Sequence, residues 1–243
     1  MKKKAVCLIS DGLDSPVATF LLEKKGIEVV GLHFNNKPYV GLSKHQKNRE
    51  NLDFEIVLSK EEKFKHSQQI ESICYSLVHS FQNQKIFKLY IVPHGDDLAE
   101  IINKSDDKQI TCILCKRLML KKAEYFAKQI GATLIMTGDI LGEQASQTID
   151  NLKIIEDSLT DTRLVRPNIG LNKEEVISIA REIDTYQYSE LAAKYTCTAV
   201  PNKPATKTSN ERIQIAEEKL NFPNLIENSW KKALLITISE TTE

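Results

Sequence analysis

The apolar run Ala5 to Ile9 passes directly into the polar stretch Ser10-Asp11-Gly12-Leu13-Asp14-Ser15-Pro16, and a helical pattern from Val17 to Lys25 follows. A buried strand turning tightly into a helix is the entry unit of a layered α/β fold. The helix start carries unpaired backbone N–H groups and about half a positive charge from the aligned peptide dipoles, which together suit a phosphate group. Gly12 lets the backbone approach an anion, Ser10 and Ser15 offer hydroxyl donors, and Pro16 suits the first helical turn, where no N–H is needed. An ordinary capped helix start has the same features, so the neighbouring segments decide between the two readings.

Those segments continue the alternation. Val17, Phe20, Leu21 and Leu22 share a helical face, Gly26 stands where a left-handed cap is expected, and Ile27 to Phe34 reads as a buried strand. Strand, helix and strand within about 30 residues make a right-handed crossover, which implies a parallel sheet covered on both faces. Ligands of such sheets bind at the carboxyl ends of the strands. Further strands are expected at Phe54 to Leu58, Phe87 to Pro93, Thr133 to Thr137 and Arg163 to Arg166. Helices are expected at Glu61 to Phe81, Cys115 to Ile130, Gln144 to Asp157 and Asn172 to Ile183. Asn172 with Glu175, and Thr208 with Glu211, have the spacing of helix capping boxes. No internal repeat or low-complexity linker intervenes, so the pattern predicts one doubly wound, Rossmann-like α/β domain over residues 1–207, with a C-terminal helical extension over 208–243 packed on it.

The 243 residues, 41% of them hydrophobic, suffice for a full core. The 33 basic and 33 acidic residues cancel, which counts against an autonomous RNA binder. Lys203 and Lys207, or the group Lys116, Arg117, Lys121 and Lys122, remain as a local basic patch or as ordinary solvated faces. No apolar run approaches the roughly 18 residues of a membrane span. The lysine-rich start leads straight into a strand rather than a signal sequence, so a cytoplasmic protein without a membrane partner is expected. Five cysteines in an intracellular chain argue for redox, metal or nucleophilic use of some of them rather than a disulfide framework. Cys7 and Cys74 lie in apolar segments and read as small buried hydrophobes.

The Ser10 to Ser15 loop resembles the pyrophosphate-binding loop of the ATP pyrophosphatase (PP-loop) family, Ser-Gly-Gly-x-Asp-Ser, with Asp11 in place of the first glycine. That extra carboxylate repels a triphosphate unless it turns outward or meets Mg²⁺. Asp14 is placed either to help hold Mg²⁺ or to cap the helix. Three later segments narrow the resemblance: Gly31 to Pro38, Thr137 to Thr148 and Arg166 to Glu175 are similar to the catalytic domain of the ThiI-type tRNA 4-thiouridine synthetases, over about Lys4 to Leu220. The resemblance implies that Leu8 and Ile9 (through their backbone), His33, Phe34, Lys116, Gly138 and Gln147 surround an adenylate, with Ser10, Gly12, Asp14 and Ser15 on its phosphates. Read from the chain alone, His33, Phe34 and Gly138 follow strands, at the ligand edge. Each also has a plainer use as strand cap, core residue or turn.

Cys112-Ile113-Leu114-Cys115 opens a helix, which brings two thiols within reach of one metal or of each other and tends to lower their pKa. In ThiI-type enzymes the late cysteine, here Cys197, handles sulfur, and a subgroup adds a Cys-x-x-Cys to it. Three thiolates suit a [4Fe–4S] cluster with one iron left open to a sulfur ligand. Zinc completed by His94 or a water, and persulfide or disulfide chemistry without metal, are the alternatives.

The resemblance therefore implies a sulfurtransferase that adenylates a uridine carbonyl in tRNA with ATP and replaces the oxygen with sulfur, supplied as sulfide or by a persulfide carrier. The chain opens at the catalytic strand, without the RNA-binding region that usually precedes it in the family. A separate RNA-binding subunit, a non-tRNA acceptor or a catalytically silent nucleotide-binding subunit are accordingly also expected as options. Analogy with the family suggests a homodimer.

Overall fold

β1 (Lys4–Leu8) leads into α1 (Asp14–Glu23) and β2 (Glu28–Asn35), so the first crossover forms where the apolar pattern requires it. The computed structural model describes residues 3–42 and 60–240; the strand expected at 54–58 lies outside them. The chain continues through β3 (Val40–Leu42), α2 (Lys60–Ser80), β4 (Ile86–Pro93), α3 (Gly95–Lys104), α4 (Thr111–Ile130) and β5 (Leu134–Met136). After these come α5 (Ile149–Glu156), β6 (Arg163–Val165), α6 (Lys173–Glu182), α7 (Tyr186–Ala192), β7 (Tyr195–Cys197), α8 (Asn210–Glu217), α9 (Phe222–Lys231) and β8 (Leu234–Ser239).

The main sheet has the order β6-β5-β1-β2-β4-β8. Five strands are parallel, and β8 pairs antiparallel with β4 at one edge. Strand order reverses at β1, with β2 and β4 on one side and β5 and β6 on the other. The crevice beyond the carboxyl end of β1 is therefore the ligand position of a doubly wound sheet. Neighbouring residues of β1 serve opposite faces: Ala5 and Cys7 pack with Val17, Phe20, Leu77 and Val176, whereas Val6 packs with Leu118, Phe126, Ile155 and Ile213. Each fully buried ring or large aliphatic side chain in these layers contributes about 1.5–3 kcal/mol. Cys7 and Cys74 are fully buried core residues, and burial pushes the Cys7 thiol up to about 12.

Several expectations need correction. The helix expected over Gln144 to Asp157 is a short 3₁₀ turn, Ala145–Gln147, followed by α5, because the Thr148 side chain accepts the Asn151 N–H and starts a new helix there. Helices α3 and α7 are additional to the expected ones, although Leu98, Ile101 and Ile102 give α3 a clear apolar face. The C-terminal extension is not purely helical. Its last segment, rich in β-branched residues, completes the sheet as β8, and Trp230 at the end of α9 packs edge-on against Phe126 at 4.7 Å. Ser209 rather than Thr208 caps α8, accepting the Arg212 N–H, while the Asn172–Glu175 capping box forms as expected. The basic group on α4 makes no surface patch: Lys122 is fully buried and Arg117 pairs with Glu217 at 2.6 Å.

Glu124 ties α4 to the turn before β6, accepting the backbone N–H groups of Thr160, Asp161 and Thr162 at 3.0, 2.8 and 3.0 Å. Burial raises its pKa, but these donors together outweigh burial and hold the carboxyl below its usual range. A depressed folded pKa gives stability that is present above the unfolded value, about 4.3, and is lost as pH falls through the folded one. Glu124→Gln is thus expected to lower the unfolding free energy by about 1–3 kcal/mol at pH 7. The gap to wild type should narrow in strong acid, as denaturant titrations at the two pH values will show.

Candidate nucleotide and thiol site

The turn after β1 is closed by its own serines. The Ser10 N–H donates to Ser15 Oγ at 2.8 Å, the two hydroxyls lie 3.1 Å apart, and the Gly12 N–H donates to Ser10 Oγ at 3.2 Å. Ser10 and Ser15 therefore shape the loop first, instead of standing as free donors. Leu13 caps α1 without any side-chain hydrogen bond, which leaves the first-turn N–H groups to the crevice. Asp14 begins the helix and makes no cap, so the capping alternative falls away. Gly138 lies against this turn so closely that a Cβ on it would stand 2.7 Å from both the N and the Cα of Ser15. Only glycine permits that approach.

A cavity of about 300 Å³ opens here, bounded by Leu8, Ser10, Gly12, Ser15, Gly138 and the long side chains of Lys116 and Gln147. Behind them sits Asp139, only 8% exposed. Its carboxylate accepts from Lys116 Nζ at 2.9 Å, Thr137 Oγ1 at 2.8 Å and Gln147 Nε2 at 3.2 Å, and Arg166 Nε lies 3.5 Å away. Burial alone would raise its pKa, but the Lys116 charge and these hydrogen bonds hold the carboxyl at about 2. Lys116 and Gln147, far apart in sequence, are brought together by an aspartate to which the motif reading gave no role. Gln147 Oε1 is buried and has no hydrogen-bond partner among the described residues. A buried acceptor left open at a cavity wall fits a ligand N–H or O–H, such as an adenine amino group or a ribose hydroxyl.

At the loop's outer side, Lys173 Nζ reaches Asp14 Oδ1 at 3.3 Å and Glu143 Oε1 at 2.6 Å, while Asn168 Nδ2 donates to the Asp14 carbonyl at 2.7 Å. Burial raises the Asp14 pKa, Lys173 opposes this, and the nearby Glu143 adds to it. Sequence reasoning missed Lys173, Glu143 and Asn168 as site residues, although all three stand inside the motifs that carried the resemblance.

His33 and Phe34 do not border this first cavity. They line a second chamber of about 130 Å³ with Ser10, Asp11 and Cys197, and Ser10 is common to both. Ile9, also buried, lines neither chamber: its N–H donates to the Leu32 carbonyl at 3.0 Å, and its own carbonyl lies 3.0 Å from His33 Nδ1. Cys197 is placed by the antiparallel pair β3–β7, opposite Val40. Cys112 and Cys115 stand in the first turn and a half of α4, as the spacing suggests.

The helix start does not acidify these thiols. Burial, followed by the charge of Cys197, raises Cys112 to about 11 and Cys115 further still. Burial also raises Cys197, with partial relief from the backbone of Ala199 and Val200. The charge of Cys197 thus reaches both Cys112 and Cys115. Among the described residues no three His, Cys, Asp or Glu side chains converge on a single metal ion. His94 Nε2 faces Cys115 Sγ at 3.3 Å and its Nδ1 lies 3.1 Å from Lys122 Nζ and 3.3 Å from Asp97 Oδ2.

The model of the family described as thiamine biosynthesis protein (ThiI) matches residues 1–59 and 53–222. A probable tRNA sulfurtransferase of Acetivibrio thermocellus is 33% identical over 97% of this chain, and one of Methanosarcina mazei is 34% identical over 97%. The chain spans about half the length of these curated relatives, 54% and 52%. Among solved structures, a 4-thiouridine synthetase–RNA complex with bound ATP superimposes with a TM-score of 0.81 at 26% identity, covering 98% of this chain and 55% of that one. NMN synthetase from Francisella tularensis, with a TM-score of 0.51 at 14% identity over 93% of this chain and 84% of that one, shares the fold. No helix among the described residues is long and apolar enough to cross a membrane. The doubly wound sheet, its glycine-tight loop and the matched family model together assign this chain to the ThiI family.

Proposed function

We propose that this chain is an ATP-dependent tRNA sulfurtransferase that adenylates a uridine carbonyl and exchanges its oxygen for sulfur, giving 4-thiouridine. The observation that carries the reading is the adjacency of two chambers across Ser10, one with the open Gln147 acceptor and one with Cys197 in its wall. The names of the relatives and of the ATP-bound solved structure support the same reaction.

In this reading ATP lies in the larger cavity. Its phosphates meet the uncapped first turn of α1, while Lys116, held by Asp139, faces the charge that develops as pyrophosphate leaves. Asp14 and Glu143, 3.3 and 2.6 Å from the shared Lys173, are the carboxylates available to Mg²⁺. Attachment of AMP converts the uridine oxygen into a good leaving group. Sulfur then bonds to the activated carbon, the carbon–oxygen bond breaks, and AMP departs with the oxygen.

The sulfur enters through Cys112, Cys115 and Cys197. Their donor set, three thiols, is the kind that a [4Fe–4S] cluster takes at three corners, and the charge of Cys197 reaches both Cys112 and Cys115. Such a cluster, when bound, offers an open iron to hydrosulfide. A cytoplasmic setting, tRNA presented by a separate RNA-binding subunit, and a homodimer belong to the same proposal.

Mixing protein, ATP, Mg²⁺ and tRNA is expected to release pyrophosphate only when tRNA is present, and Lys116→Met should slow that release by about 10²–10³. Release that ignores tRNA would point to another acceptor, and no release at all to a binding subunit. Cys197→Ala should abolish thiolation while ATP affinity stays at the wild-type level. Anaerobically purified protein should be coloured and contain iron and sulfide. A colourless, iron-free protein that still thiolates tRNA would exclude the cluster.

A further inference from the structure

From Cys197 to the cap of α8 the chain has neither helix nor strand over residues 198–208. Without a ladder of its own, this segment is fixed by bonds to other parts of the fold. The Thr198 N–H donates to the Tyr39 carbonyl at 3.1 Å, and the Ala205 N–H to the Gln109 carbonyl at 3.0 Å. The first turn of α5 grips the far end. Asn151 Nδ2 donates to the Ala205 carbonyl at 3.0 Å, and Thr148 Oγ1 to the Thr206 carbonyl at 2.8 Å.

The same turn holds the nucleotide side. Asn151 Nδ2 also donates to the Ala145 carbonyl at 2.8 Å, inside the 3₁₀ turn Ala145–Gln147 that presents Gln147 to the larger cavity. At the other end, the backbone of Ala199 and Val200 lies against the Cys197 sulfur, and Gln109 stands three residues before Cys112. One side-chain amide thus joins the wall of the nucleotide cavity to the segment that continues from Cys197.

Asn151 is fully buried, and its two carbonyl partners fix which way the amide points, since turning it over would set Oδ1 against two acceptors. Oδ1 itself has no partner among the described residues. A buried acceptor left open is costly and an apolar side chain would avoid it, so what the asparagine contributes is its pair of donors. Thr148 uses both functions of its hydroxyl: it accepts the Asn151 N–H at 3.3 Å, which caps α5, while donating to Thr206.

We propose that Thr148 and Asn151 are positioning residues for Cys197: they clasp segment 198–208 to the Gln147 turn, so that a nucleotide seated on Gln147 orders the chain that sets the Cys197 sulfur. The inference rests on the reading that nucleotide fills the larger cavity and that Cys197 handles sulfur. A ligand that fixes the turn leaves the clasped segment less freedom to lose, and two sites joined by one element bias each other in this way. Sulfur is then aligned when the activating nucleotide is in place.

Amide hydrogen exchange of the intact protein, with and without a non-hydrolysable ATP analogue and Mg²⁺, tests this. The analogue is expected to slow exchange over residues 10–15 by direct contact. Over 198–208 it should slow exchange by about tenfold, a usual size for coupled sites. Thr148→Gly keeps the start of α5, because glycine replaces a threonine cap at little cost, but it removes the donor to Thr206. Thr148→Ser keeps both. In the glycine variant protection should persist over 10–15 and fall over 198–208, with thiolation reduced about tenfold through misplacement of the sulfur and tRNA-dependent pyrophosphate release unchanged. The serine variant should match wild type in all three readouts, and Asn151→Ala should lose the protection over 198–208 entirely. Protection over 10–15 alone in wild type, or equal protection of 198–208 in wild type, Thr148→Gly and Asn151→Ala, overturns the proposal. An analogue that protects neither segment overturns the nucleotide reading together with it. If both segments are protected but the protein thiolates nothing, the functional reading fails while the clasp stands.

Discussion

α1 begins in backbone contact with Gly138, and the site depends on that approach. The loops after β1 and β5 sit side by side at the point where strand order reverses, and the missing Cβ lets the uncapped helix start form one wall while the Thr137-Gly138-Asp139 turn forms the other. The next residue then turns a carboxylate inward. A lone buried carboxylate would be too costly to keep ionised, but Asp139 collects Lys116, Thr137 and Gln147 as hydrogen-bond donors with Arg166 close by, and so stays charged to about pH 2. It therefore fixes two long side chains that would otherwise sweep the cavity.

The thiols obey a different balance. Raising Cys112 from 9.0 to about 11 corresponds to about 3 kcal/mol, against the 0.3–1 kcal/mol that a helix terminus usually supplies. Burial wins, so the Cys112 and Cys115 sulfurs are protonated near neutral pH. A cation that shares their charge must displace those protons, which ties its affinity to pH. The buried Lys122 supplies a positive charge near Cys115 that opposes part of this rise.

Much of this was legible in the chain. Apolar runs of strand length separated by helical spacing gave the doubly wound sheet, because a parallel strand buried on both faces has no polar positions to blur it. The loop and the Cys112–Cys115 pair could be named from their spacing, whereas Lys116, Gln147 and Cys197 were implied by the family resemblance. Three things could be read from neither. β8 pairs with β4 across more than 140 residues of chain, and its β-branched run marks a strand but not the partner it joins. The partners Asp139 and Lys173 act through side-chain geometry that spacing does not encode. The division of His33 and Phe34 from Lys116 and Gln147 into separate chambers depends on which way the strand ends open, which no pattern of residue types records.

The central claim is that a nucleotide lies over the first turn of α1 with its α-phosphate turned toward the chamber of Cys197. A crystal structure with a non-hydrolysable ATP analogue and Mg²⁺ tests it most directly. The account predicts phosphates on the Gly12 to Ser15 backbone, a nucleoside donor on Gln147 Oε1, and an open path from the α-phosphate to the Cys197 sulfur. Nucleotide bound elsewhere, or a closed wall between it and Cys197, would contradict it.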